Sequence, residues 1–402
     1  MPETQWSMLL VGGVCGVDGQ YDFSRPVLFS TAGQCMVQAA PEDWTTMWVH
    51  APEEAHGDAH RCVLTEEAGF SSRLAAAGLP QDGYVLVCAY PIPTAANSVY
   101  EQLRRVQERK EHRVTVIRSQ RRLAAAAFSA ELLHSLLLRQ PQSLEQLVSL
   151  AENRRCTVSE FPCSDPAVCS AQTAYQAQRI LCEQIAQKQM QRGVILFDPK
   201  STWIAPDAQI GSGTTVLPGT MIYPGCTIGS GCTIGPNSVL KRASIGDRTT
   251  VNASQVLEST VGSAVSIGPF AYIRPGCTVG DRVKIGDFVE VKNSTIGSDT
   301  SASHLTYIGD ADVGERVNFG CGTVVVNYDG YQKFRTVIGD DCFLGCNTNL
   351  VAPVSVGDRA FTAAGSTVTE SVPDGALAIA RARQINKPEW NEQRRSDHSD
   401  HK

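Results

Sequence analysis

Residues 267–285 read IGPFAYIRPGCTVGDRVKI, and in them Ile267, Ile273, Val279 and Ile285 stand six residues apart. The same interval separates Ile228 from Ile234 and returns in Ile338, Leu344, Leu350 and Val356. A fixed six-residue period, with Gly and Pro between the aliphatics, is the pattern of a parallel β-helix of hexapeptide repeats. Each unit supplies one short strand and one corner, and points one aliphatic side chain into a narrow prism. Stacked coils then bury those side chains in continuous ladders.

The position two residues before each aliphatic also points inward, where room is short. Cys226, Cys232, Cys277, Thr336, Cys342 and Thr348 occupy it, so these cysteines are expected as small core residues and not as metal or redox groups. The chain has fourteen cysteines in 402 residues but no CxxC pair. With no secretory signal either, reduced thiols are expected, not a disulfide scaffold.

Working outward, the length predicts two domains and a connector. Residues 1–170 mix short apolar runs, such as Met8 to Val11 and Tyr84 to Cys88, with helical patterns, which predicts an α/β domain. In 171–198, Ala174, Ala177, Leu181 and Ile185 recur at helical spacing and predict a connecting helix with one apolar stripe. The β-helix is expected over 199–390. The charged tail, 391–402, carries His398 and His401 and has no apolar period, so it is expected to be disordered.

Formal net charge is −6, with no run of Lys or Arg of the kind that binds nucleic acid or an anionic membrane, which leaves small molecules as the expected ligands. The N-terminal apolar stretch is too short for a signal peptide or a membrane span, and a cytoplasmic location is expected.

The period lapses twice, at Ser298 to Tyr307 and at Val326 to Thr336, where polar and aromatic residues cluster. Loops leaving a rigid solenoid are expected there, and a site with them. The first contains His304, the one histidine between 199 and 390, together with Tyr307. Neutral imidazole can take a proton from an attacking amine near pH 7. A single histidine does not make a metal site of several His ligands, so no metal is expected. Arg274 and Lys292 are eighteen residues apart, which puts them on one face of adjacent coils. They could form a phosphate site or be two solvated surface charges.

The stretches GPFAYIRPG, FVEVKNS, HLTYIGDADVGERVNFGCGT, VNYDGYQKFRTVIGDD, NLVAPVSVGD, AAGSTVT and ALAIARARQINK closely resemble the acetyltransferase half of the bacterial bifunctional N-acetylglucosamine-1-phosphate uridylyltransferase/glucosamine-1-phosphate N-acetyltransferases, the GlmU family. The resemblance runs from near Ile210 to Trp390. It implies a left-handed β-helix working as a homotrimer with intersubunit active sites, acetyl-CoA as cosubstrate, and N-acetylation of glucosamine 1-phosphate for peptidoglycan precursor synthesis. By that resemblance His304 is the general base. Arg274, Lys292, Tyr307 and Asn318 are sugar-phosphate contacts, Asn327 and Tyr328 position both substrates, and Cys321, Cys346, Ala364 and Arg381 lie along the acetyl-CoA site. Cys321 and Cys346 are expected there as packing residues, not nucleophiles.

The N-terminal domain resembles the family's sugar nucleotidyltransferase domain in outline, but is shorter and departs from it at the chemistry. In LLVGGVCGVDGQYDFSRPVLFSTAGQCM, Gly16, Val17 and Asp18 stand where the family has Gly-Thr-Arg-Met, and Arg25, Pro26, Val27 and Leu28 where it has Pro-Lys-Val-Leu. Ala89 stands in place of the metal-binding Asp, and Ala124 to Ala127 replace the second ligand's segment. Loss of uridylyl transfer and of the Mg²⁺ site is expected. Two alternatives remain: a bifunctional enzyme with a divergent nucleotidyl site, and a non-catalytic β-helix scaffold.

Overall fold

The computed structural model describes residues 5–11, 26–27, 30–31, 36, 43–50, 62–64, 70–90, 92, 97–109, 114–119, 122–163, 165, 167–168 and 170–399. The chain divides into two units, Met1–Gln191 with Trp203–Pro206, and Arg192–Thr202 with Asp207–Lys402.

The first unit is α/β. Its seven-stranded sheet runs in the order Cys62–Leu64, Thr45–His50, Trp6–Val11, Tyr84–Cys88, Arg122–Ser129, Val114–Ser119, Val158–Pro162. The first four strands are parallel, while Arg122–Ser129 is antiparallel to both its neighbours. The Ala124–Ala127 run lies in that strand with both faces covered, and each alanine is at most 1% exposed. Ala126 joins the core of Leu133 and Leu147, whereas Ala125 and Ala127 join that of Trp6 and Tyr100. Methyl-sized side chains let helices Ala130–Leu137 and Leu144–Asn153 pack against the strand. A helix runs from Ala171 to Gln191 and buries Ala177 and Ile185 on one stripe.

The second unit is a left-handed parallel β-helix of about ten turns. Its three faces are parallel sheets of eleven, ten and nine strands, and each strand pairs with the strand three positions on, one coil above, except the last pair of the eleven-stranded sheet, Phe361–Thr362 with Leu377–Ala378, which are two positions apart. Ile228, Ile234, Ile267, Ile273, Val279, Ile285, Ile338, Leu344, Leu350 and Val356 are all at most 2% exposed. Burying each contributes about 2 kcal/mol. The thiols two residues earlier are buried as well, and they donate weakly to carbonyls one coil above: Cys232 Sγ to Gly246 O at 3.1 Å and Cys342 Sγ to Gly357 O at 3.0 Å. Burial pushes their ionisation up, which suits a core thiol and not a reactive one.

Two expectations are corrected and one holds. Ser298 to Tyr307 is no loop, because Ser301–His304 is a strand in register with Lys284–Asp287. The hexapeptide period breaks there because this coil is seventeen residues long instead of eighteen, so the ladder continues one residue short. The second interruption is a true insertion. Thr295 pairs with Asp312, but Asp312 pairs with Val337, twenty-five residues on, and the extra residues form a hairpin closed by a Tyr328 to Lys333 bridge. The tail carries a helix, Trp390–Ser399, where disorder was expected. It has no apolar stripe, but the Arg394 guanidinium sits 4.9 Å over the Trp390 ring, a favourable pair one turn apart.

Leu350→Ala should destabilise the β-helix by about 3 kcal/mol, because the closed prism cannot collapse around the cavity. A denaturant midpoint for the C-terminal transition within error of wild type would refute the ladder as the source of stability.

Candidate active site

Two polar clusters border one face of the prism, at opposite corners. At the first, Asp287 and His304 are register partners on adjacent coils. His304 Nδ1 lies 2.6 Å from Asp287 Oδ1. The hydrogen bond from His304, with one from the backbone, holds the Asp287 carboxyl below its ordinary range, so it accepts as a carboxylate. Nδ1 must then carry the proton, which leaves the Nε2 lone pair of a neutral ring free.

The next residues at this corner, Phe288 and Leu305, have left-handed backbones, a costly conformation for bulky side chains. Phe270, Phe288 and Leu305 are 60%, 58% and 57% exposed, and the two Phe rings stack at 5.4 Å.

At the second corner Arg274 and Lys292 follow one another up the coils, as register partners Ile273 and Val291 require. Neither is a bare surface cation. Arg274 Nη1 donates to Glu290 Oε1 at 2.9 Å, and Lys292 Nζ to Asp310 Oδ2 at 2.9 Å. Asp310 adopts a left-handed conformation that Asp tolerates. It also accepts from Asn293 Nδ2 at 2.6 Å and from Asn327 Nδ2. Burial pushes the Asp310 carboxyl up, but those three hydrogen bonds and the lysine charge outweigh it and hold the group below its ordinary value. Asp310 in turn holds Lys292 above its own. Arg274 and Lys292 each keep unused donors for an anion.

Tyr307 lies between the corners. It pairs in register with Glu290 and its ring covers Gly309, where a Cβ would collide with the ring. Its hydroxyl is 3.5 Å from Asn327 Nδ2. From His304 to Gly309, the register partner of Lys292, the face is roughly 15 Å wide at the usual strand rise.

The other expected residues spread along the axis. Asn318 is exposed, one coil above Ser301. Tyr328 belongs to the inserted hairpin, and its hydroxyl donates to Gly330 O at 2.6 Å. The His304 corner continues upward through Cys321, Cys346 and Ala364, as pairs Ala302 with Phe319, Phe319 with Leu344 and Leu344 with Thr362 require. Arg381 follows next to Gly365. Cys346 is exposed and Cys321 half-buried, so neither fills the core. Asp287, Glu290 and Asp310 are the residues the sequence reading missed. The signal for the first was its seventeen-residue offset from His304.

In the first unit, Ala89 directly follows strand Tyr84–Cys88 and donates its N–H to Ala124 O at 2.9 Å. Its methyl group supplies no ligand oxygen. Gly16, Val17, Asp18, Arg25 and Leu28 lie outside the described residues. Among the described residues no helix is long and apolar enough to cross a membrane.

Residues 207–242, 258–293 and 335–370 of these coils match the model of the bacterial transferase hexapeptide (six repeats) family. Over 215 residues, 54% of this chain, the sequence is 56% identical to the bifunctional protein GlmU of Clostridium kluyveri, and the match covers 47% of that protein. It is 55% identical over 215 residues to the bifunctional protein GlmU of Halalkalibacterium halodurans, with the same coverages. This likeness lies in the C-terminal half, and the chain spans about half the length of the curated relatives it matches. A solved UDP-N-acetylglucosamine acyltransferase from Campylobacter jejuni is 17% identical over 42% of this chain and 81% of its own, with a TM-score of 0.28.

Asp310→Ala should cost about 3 kcal/mol, since Lys292 would lose its buried partner. Asp310→Asn tests the charge alone. A carboxyl held low in the folded state contributes stability in full above its unfolded value near pH 4, and loses it as pH falls through the folded value. The gap in urea midpoint between wild type and Asp310→Asn should therefore be widest near neutrality and close towards acid. A constant gap would show that the charge is not what matters.

Proposed function

We propose that the β-helix transfers the acetyl group of acetyl-CoA to the 2-amine of glucosamine 1-phosphate, giving N-acetylglucosamine 1-phosphate for UDP-N-acetylglucosamine synthesis. The observation that carries this reading is the Asp287–His304 pair at one corner of a face whose other corner holds Arg274 and Lys292. The likeness to the bifunctional protein GlmU over the same half supports it.

In this reading the phosphate takes the free donors of Arg274 and Lys292, and the sugar lies over Tyr307 towards His304, with Asn318, Asn327 and Tyr328 as its other contacts. Nε2 of His304 removes a proton from the amine as nitrogen attacks the thioester carbon. The tetrahedral oxyanion collapses, the C–S bond breaks and the coenzyme A thiolate leaves, to be protonated by the imidazolium. Asp287 stabilises that imidazolium and fixes its tautomer. No acyl-enzyme forms. The acetyl-CoA chain runs up the corner above His304, past Cys321, Cys346, Ala364 and Arg381.

A homotrimer with intersubunit sites belongs to the same proposal. Its support is the exposed ridge of Phe270, Phe288 and Leu305 beside the base, an apolar edge of the kind that a second copy of the chain covers. Uridylyl transfer and Mg²⁺ binding are proposed to be lost, on the strength of the methyl group of Ala89 at the strand end. Release of pyrophosphate from UTP and N-acetylglucosamine 1-phosphate, dependent on Mg²⁺, would instead establish a bifunctional enzyme.

Purified protein given acetyl-CoA and glucosamine 1-phosphate should release free thiol only when both are present. His304→Ala should lower that rate about a hundredfold or more. No release from the wild type would leave a non-catalytic scaffold as the better description.

A further inference from the structure

Two thiols stand at one corner of the β-helix, one coil apart. The relation between them is the one that joins Asp287 to His304. In that pair the residue after His304 donates its N–H to the carbonyl of Asp287, Leu305 N to Asp287 O at 3.0 Å, and the two side chains meet at 2.6 Å. At the thiols, the residue after Cys346 donates to the carbonyl of Cys321, Asn347 N to Cys321 O at 2.8 Å. The register pairs Asn318 with Phe343 and Phe319 with Leu344 carry the same alignment forward to Cys321 and Cys346.

Neighbouring strands lie about 4.8 Å apart, within the range of about 4.4–6.8 Å between Cα atoms that a disulfide spans. The corner is tight there, since a Cβ at Gly320 would collide with the backbone N–H of Cys346. Unlike the core thiols of Cys226, Cys232, Cys277 and Cys342, these two are open to solvent, Cys346 exposed and Cys321 half-buried.

We propose that Cys321 and Cys346 are a thiol-modification site, a dithiol that closes into a cross-coil disulfide under peroxide and so blocks the corner above His304. The Cys346 thiolate attacks one peroxide oxygen, the O–O bond breaks, and water leaves after protonation, which gives a sulfenic acid. The Cys321 sulfur then attacks the Cys346 sulfur, the S–O bond breaks, and a second water leaves. Two thiols are oxidised and one peroxide is reduced. Thiol reductants reverse the reaction. The effect on acetyl transfer rests on the acetyl-CoA path proposed above, whereas the disulfide rests on the coil geometry alone.

The test treats the full-length folded protein with hydrogen peroxide, alkylates the remaining thiols and maps tryptic peptides. Cys321 falls in 317–333 and Cys346 in 336–359, which also contains Cys342. The expected result is a link between these two peptides that dithiothreitol removes, that Cys321→Ser and Cys346→Ser each abolish, and that Cys342→Ser retains. Acetyl transfer by the wild type should fall about tenfold or more on oxidation and return with dithiothreitol. Both thiols still open to alkylation after peroxide, or a link from Cys321 to Cys342, would overturn the proposal, as would full transfer by the linked protein. A mapped link in a protein that shows no transfer even when reduced would uphold the dithiol and reject the transfer reading.

Discussion

Apart from Tyr328 in the inserted hairpin, the side chains of the candidate site are placed by one constraint, the backbone hydrogen bonding of each coil to the next in parallel register. Strands of two to four residues have little stability alone, and side-chain packing sets only the width of the prism. The coil-to-coil ladder decides which residue sits above which. Through it Asp287 meets His304, Lys292 follows Arg274, and Cys346 follows Cys321, although these pairs are seventeen to twenty-five residues apart in the chain.

That constraint also explains what could be read from the sequence. The aliphatic period and the small inward residues two places earlier are imposed by the prism interior, so Ile273, Leu344, Cys232 and Thr348 were legible as core. Arg274 and Lys292 were legible because their coil holds eighteen residues. Asp287 was not, since the seventeen-residue coil leading to His304 breaks the six-residue count without breaking the ladder. The same shortfall made Ser298 to Tyr307 look like a loop. Asp310 was hidden for another reason. In sequence it is an ordinary Asp after Gly309, and only the left-handed corner turns its carboxylate towards Lys292, Asn293 and Asn327.

The carboxylates give the two corners different electrostatic roles. Asp310 is nearly buried and has three donors, so it fixes a lysine ammonium and an asparagine amide as a rigid unit. Asp287 is in water and has one side-chain partner, so it sets a tautomer and leaves the ring accessible. A rigid cation at one edge and an accessible imidazole at the other are what positioning and proton transfer would separately require in the proposed reaction. In the first unit, the alanines buried in the central sheet let the helices pack closely against it.

The open corner above His304 rises in fixed increments. From His304 to Cys321, Cys346 and Ala364 are three coil steps, about 14 Å at the parallel-strand spacing. An extended molecule lying along that edge meets the protein at regular rungs, so its length is measured in whole coils and not by the shape of a closed cavity. The twenty-five-residue coil adds its hairpin at the opposite corner, between Val324–Val326 and Thr336–Ile338, without adding a rung. The solenoid can therefore gain surface contacts by insertion while the spacing of its gauge stays the same.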